Sequence, residues 1–161
     1  MLNRLRSVRP TTLAAVPAAG FILAAGFVHL REWLQMYRDL PGDVPGSAVV
    51  KIGFPINVAV SVLLAGLLLV AAVRASRWLT LLAGAAAVFE AGSLASLILS
   101  RTANVFGWTE AGWRVGATQT RALELGALAS LAGLVAIRHL YSTRTGRHGV
   151  HRVGATAATP A

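Results

Sequence analysis

The sequence predicts an all-α fold: a transmembrane four-helix bundle with both termini on the cytoplasmic side (N-in/C-in). Three observations predict it. Hydrophobic residues make up 55% of the 161 residues and charged residues only 13%, whereas a soluble domain carries about 25% charged residues. The apolar residues gather in four long runs. The basic residues divide unevenly between the two sides those runs define. A span needs roughly 20 mostly apolar residues, because an α-helix rises about 1.5 Å per residue across about 30 Å of hydrocarbon.

Residues 1–12 form a basic N-terminal segment with Arg4, Arg6 and Arg9. The first span is expected over 13–30, with Pro17 one turn inside it as a source of a kink. The opening MLNRLRSVRP also looks like the start of a signal peptide, with Ala15, Ala18 and Ala19 mimicking a cleavage motif. The apolar run continues well past those alanines, so an uncleaved helix is expected. REWLQMYRDL should prolong this helix until Pro41 and Gly42 stop it, with Trp33 and Tyr37 at headgroup height. The second span is expected over 55–73, with Pro55 in its first turn, where a missing N–H costs little. A four-residue turn, 74–77, makes spans two and three antiparallel neighbours. The third span is expected over 78–99. The outer loop after it, SRTANVFGWTEAGWR, carries Phe106, Trp108 and Trp113. These rings read as interfacial anchors or as a lid over an outward-facing pocket. The fourth span, 115–137, opens with Thr118, Gln119, Thr120, Arg121 and Glu124 and is free of charge from Leu125 onward. The stretch 138–161 is small, basic and without periodicity, so it is expected to be a disordered cytoplasmic tail. Barrel strands are about ten residues of alternating polarity. These runs are longer and apolar all round, so they read as helices.

Orientation follows from the flanks. Arg4, Arg6, Arg9, Arg74, Arg77, Arg138, Arg144, Arg147 and Arg152 fall on one side, with no acid among them. Arg31, Arg38, Lys51, Arg101 and Arg114 fall on the other, diluted by Glu32, Asp39, Asp43 and Glu110. The net charge of +9 is then a matter of topology and attraction to anionic headgroups. No nucleic-acid partner is expected, since the basic residues are dispersed over three flanks. The chain has no cysteine, which excludes disulfides, thiol nucleophiles and Cys-ligated metals. His148 and His151 on the tail are too sparse a set for a metal site, and none is expected. No Gly-rich nucleotide motif is present, so ATP coupling is not expected either.

The chemistry lies in polar groups inside the spans. A charge at a helix centre costs about 2.5–3.5 kcal/mol to insert, so such groups face the protein interior and pair. Glu90 falls near the middle of the third span and Glu124 at a similar depth in the fourth, with Arg121 one turn further out. Asn57 and His29 lie toward the outer ends of spans two and one. A ligand- or proton-binding cluster of His29, Asn57, Glu90, Arg121 and Glu124 is therefore expected in the outer half of the bundle. Two carboxylates in low dielectric cannot both stay ionised cheaply, so one takes a proton or Arg121 sits between them. The competing reading is a structural Arg–Glu pair that fixes helix register. The faces agree with packing there. Ala18, Ile22, Ala25, Gly26 and His29 share one side of span one, and Ala83, Ala86, Glu90 and Ser93 one side of span three. Trp33, Tyr37, Arg101, Phe106, Trp108 and Glu110 are the candidates in the outer loops.

The pieces HLREW (29–33), YRDLP (37–41) and SRTANVFGWTE (100–110), with Glu124 in the fourth span, resemble the small four-span integral membrane proteins common in actinobacteria. The general plan is also similar to that of DoxX-like four-helix proteins. The resemblance implies a multi-pass protein of the bacterial inner membrane and brings no activity or cofactor with it. Gln119 and Arg121 make this fourth span more polar than that group implies.

Three functions are compatible with the sequence. The first is a small membrane protein that binds a ligand or relays protons between Glu90 and Glu124, with Arg121 tuning them and His29 leading outward. The second is a non-catalytic accessory subunit that packs against a larger membrane complex or a second copy of itself. The third is a quinone- or lipid-acting enzyme, for which no nucleophile or metal set argues.

Overall fold

The computed structural model describes residues 9–104, 107–110 and 114–153, with side chains as far as 141. Four helices follow one another: α1 (Pro10–Glu32), α2 (Ser47–Val73), α3 (Leu79–Thr102) and α4 (Val115–Val153). Each is long and apolar enough to cross a membrane. The fold is all-α, as the sequence predicts. α1 is the central rod. It packs extensively on α2 and α4, α3 leans on α4, and α2 and α3, though neighbours, touch only sparsely. Small side chains on α1 cause this order: Ala15, Ala18, Ala19, Ala25 and Gly26 are all buried. They let neighbouring backbones approach where no hydrophobic force drives helices together. A Cβ on Gly26 would lie 2.9 Å from Ser61 Cβ, and one on Gly126 would lie 2.8 Å from the Phe21 ring. Ile22, Leu68, Leu79, Leu131 and Leu134 fill the core between these contacts.

The connections place two ends. At one, the start of α1 meets the end of α2 through Thr12 Oγ1, which donates to the Ala72 carbonyl at 3.3 Å. Arg138 of α4 donates to the Ser76 and Arg77 carbonyls of the intervening turn at 2.9 and 3.1 Å. That turn is closed by Ala75 in the left-handed region, at φ 50°. At the other end, Gly46 (φ 72°) and Gly107 (φ 89°) bring the two long loops into backbone contact. A side chain at either position would meet both a strained backbone and a neighbouring main chain.

Three boundaries differ from expectation. α1 does not run straight to Pro41. It passes at Glu32 into a π-helical turn, Trp33–Tyr37, closed by the Arg38 N–H on the Trp33 carbonyl at 2.9 Å. α2 begins at Ser47, so Pro55 lies inside the helix rather than in its first turn. A proline there cannot bond the carbonyl four residues back, which is that of Lys51. Trp33 Nε1 takes the place of the missing donor and bonds the Lys51 carbonyl at 3.1 Å. The π turn and the interior proline thus form one joint. Finally, α4 continues as helix to Val153, where a disordered tail was expected from 138. No proline interrupts this stretch before Pro160, and elongating an existing helix costs far less than nucleating one.

Candidate functional site

Each of the four helices sends a polar side chain to one level of the bundle. α1 gives His29, α2 gives Asn57 and Ser61, α3 gives Ser93, and α4 gives Glu124. Ser61 follows Asn57 by four residues and so shares its face. Ser93 is the hub. Its hydroxyl donates to Glu124 Oε1 and accepts from Asn57 Nδ2 at 3.0 Å. Ser61 donates to Asn57 Oδ1 at 3.4 Å. His29 Nε2 lies 3.4 Å from the Ser93 hydroxyl and 3.5 Å from Glu124 Oε1. Glu124 is fully buried, and Glu90, one turn away from Ser93 along α3, is 1% exposed. Glu90 lies within electrostatic reach of Glu124. Glu90 Oε1 and Glu124 Oε2 are buried without a hydrogen-bond partner among the described residues. Such orphans are uncommon and point to a function or an absent partner.

A second cluster sits toward the two long loops. Tyr37 donates its hydroxyl to Glu110 Oε1 at 2.6 Å, and Arg101 bonds Glu110 Oε2 at 3.0 Å. This clasps the second loop to the π turn that follows α1 and to the end of α3. Aromatic rings join the two clusters. His29 meets Phe54 edge-on at 5.1 Å, Phe54 meets Tyr37 at 4.8 Å, and Tyr37 meets Trp108 at 5.8 Å.

Between α2 and α3, neighbours in sparse contact, lies a cavity of about 490 Å³. Its walls are mostly apolar, with Val50, Phe54, Phe89 and Leu97 among them, and His29, Asn57 and Ser93 form its polar floor. Arg101, Trp108 and Glu110 close it toward the loops. Gly53 and Gly92 line it on facing helices, and a Cβ at either would meet nothing within 4 Å.

No family model, curated protein or solved structure matches this chain.

His29, Asn57 and Glu124 therefore come together as the sequence suggests, with Glu90 buried beside them. Arg121 does not join them. It lies on the exposed side of α4, while Glu124, three residues on, is fully buried. Three residues turn a helix by about 60° from the starting direction, enough to pass from the bundle interior to its outer wall. Of the loop candidates, Tyr37, Arg101, Trp108 and Glu110 converge, and Trp33 stands apart on the Lys51 carbonyl. Phe106 lies outside the described residues, as does Trp113. Ser93 and Ser61 were missed as site residues. Their signal was spacing: each shares a helix face with a polar residue already singled out, Glu90 and Asn57.

Proposed function

We propose that this chain is a multi-pass membrane protein that binds a small ligand in the cavity between α2 and α3, with His29, Asn57 and Ser93 meeting the ligand's polar end. One observation carries the proposal: a mostly apolar cavity with His29, Asn57 and Ser93 together at its floor, backed by a buried carboxyl. Ligand sites have this composition, and the volume falls in their usual range of about 300–1,000 Å³. The test exploits the open glycine. Gly92 lines the cavity and a Cβ there meets open space, so Gly92→Leu is the variant chosen to add bulk at this wall. Wild-type protein purified in nanodiscs is expected to yield a bound small molecule on organic extraction and mass spectrometry, and Gly92→Leu is expected to lack it. Identical extracts from the two would overturn the proposal.

A second reading, proton exchange at the same floor, is favoured by the two orphaned carboxyl oxygens of Glu90 and Glu124. Glu124→Gln is then expected to change proton flux into dye-loaded vesicles, and an unchanged rate would remove it. With either reading we propose a bacterial inner membrane, N-in/C-in orientation, and kinship with the small actinobacterial four-span proteins. The flank charges and the motifs at 29–41 and 100–110 support these points. The lipid bilayer is the proposed surrounding, and a second copy or a larger membrane complex the proposed partner.

A further inference from the structure

The cavity has an entrance and a charge character, and together they define what fits. Val88 and Ile56, which line it, are 75% and 55% exposed on the apolar outer wall of the bundle. Gly53 and Gly92 add no side chain to the facing edges of α2 and α3, and a Cβ at either would meet open space. The opening therefore faces acyl chains. Along α3 the lining runs from Val88 to Arg101, about 20 Å at the helical rise and so about the depth of one leaflet with its headgroups.

The charged groups on the lining are already committed to one another. Arg101 bonds Glu110 at 3.0 Å, the Leu97 carbonyl at 2.8 Å and the Ser100 hydroxyl at 3.1 Å. Glu110 is held in turn by Arg101 and Tyr37. Glu124 is not on the lining; it stands behind Ser93. An anionic head would meet no uncommitted Arg or Lys on the lining and would face the buried Glu124 carboxyl behind the floor. A cationic head would meet no uncommitted carboxylate on the lining. Burying either charge unpaired is costly. Neutral hydrogen-bonding capacity remains. Asn57 carries two N–H groups, of which Ser93 takes one. His29 turns Nε2 toward Ser93 and Glu124, which leaves Nδ1 for a ligand. One amide donor beside one imidazole nitrogen matches a hydroxyl, which both donates and accepts, or a carbonyl, which accepts from the amide.

We infer that the ligand is a neutral, membrane-dissolved molecule with a hydroxyl or carbonyl head, which enters sideways from the bilayer between α2 and α3 and is read by Asn57 and His29. This rests on the cavity being a ligand site, and the experiment separates the two claims. Dodecanol, dodecanoate and dodecyltrimethylammonium share one chain and differ in head charge. Each is titrated into wild-type protein in phosphatidylcholine nanodiscs, and the thermal midpoint is followed, since a ligand of the folded state raises it. Gly92→Leu and Gly53→Leu serve as cavity-filled controls, two in case one fails to fold. The expected result is a saturable rise with dodecanol in wild type alone. Asn57→Leu is expected to weaken that apparent affinity about tenfold, the loss of one net hydrogen bond. A larger wild-type-specific rise with either charged probe would overturn the neutral-head inference and leave the cavity standing. The same response in wild type and both filled variants, for all three probes, would overturn the cavity and the inference with it.

Discussion

Ser93 is one of two serines in the polar network, yet three larger side chains meet at it. Its hydroxyl satisfies Glu124 and receives Asn57, and His29 lies beside it. Ser93→Ala leaves a buried carboxylate oxygen and an amide N–H without this partner. An unsatisfied buried group costs about 1–3 kcal/mol, so a loss of that size is expected in SDS-titrated unfolding from mild micelles. A loss near zero would mean that water or a ligand supplies the missing bonds. The sequence shows His29, Asn57, Glu90 and Glu124 readily, because a polar residue in an apolar run stands out. It hides Ser93 and Ser61, because serine in a membrane helix is as often a small packing residue as a hydrogen-bonding one. It misdirects at Arg121, because three-residue spacing guarantees proximity to Glu124 along the helix but not a common depth of burial.

Among the elements, the joint between the π turn and α2 is the most informative. Pro55 leaves the Lys51 carbonyl without its helical donor, and Trp33 Nε1 replaces it. The two residues should therefore be coupled. Trp33→Phe keeps a ring but removes the N–H, and is expected to destabilise by about 1–3 kcal/mol. Pro55→Ala restores a backbone donor, so the double variant is expected to recover most of the loss; simple additivity in the mutant cycle would refute the joint. The turn at 74–78 offers a change of opposite sign. Ala75 sits at φ 50°, which costs a non-glycine residue about 1 kcal/mol or more. Ala75→Gly is expected to raise stability by up to about 1 kcal/mol in the same assay, offset in part by the freedom glycine gains on unfolding. The four helices themselves were legible, since length and apolarity settle them. Their ends were less so. Pro55 looked like a start because prolines favour first turns; the tryptophan that makes an interior proline tolerable lies 22 residues earlier, beyond any local pattern.

At the scale of the whole molecule, polarity is inverted relative to a soluble bundle. Phe27, Val73 and Val88 are 65%, 66% and 75% exposed, while Glu90 and Glu124 are buried. In water that outer surface would far exceed the few hundred Å² of apolar patch a monomer usually shows; against acyl chains it costs nothing. The direction in which the bundle threads the bilayer is testable because the chain contains no cysteine. A single Asp43→Cys is expected to react with a membrane-impermeant maleimide in intact cells, and a single Arg74→Cys only after lysis. The reverse pattern would place the termini outside. The gap between α2 and α3 carries a last consequence. Because a Cβ at Gly53 or Gly92 would meet open space, each position accepts a first added carbon, and a series through alanine, valine and leucine narrows the gap by steps. The bundle is therefore its own caliper: whichever step first shuts out a bound molecule measures the width of that molecule.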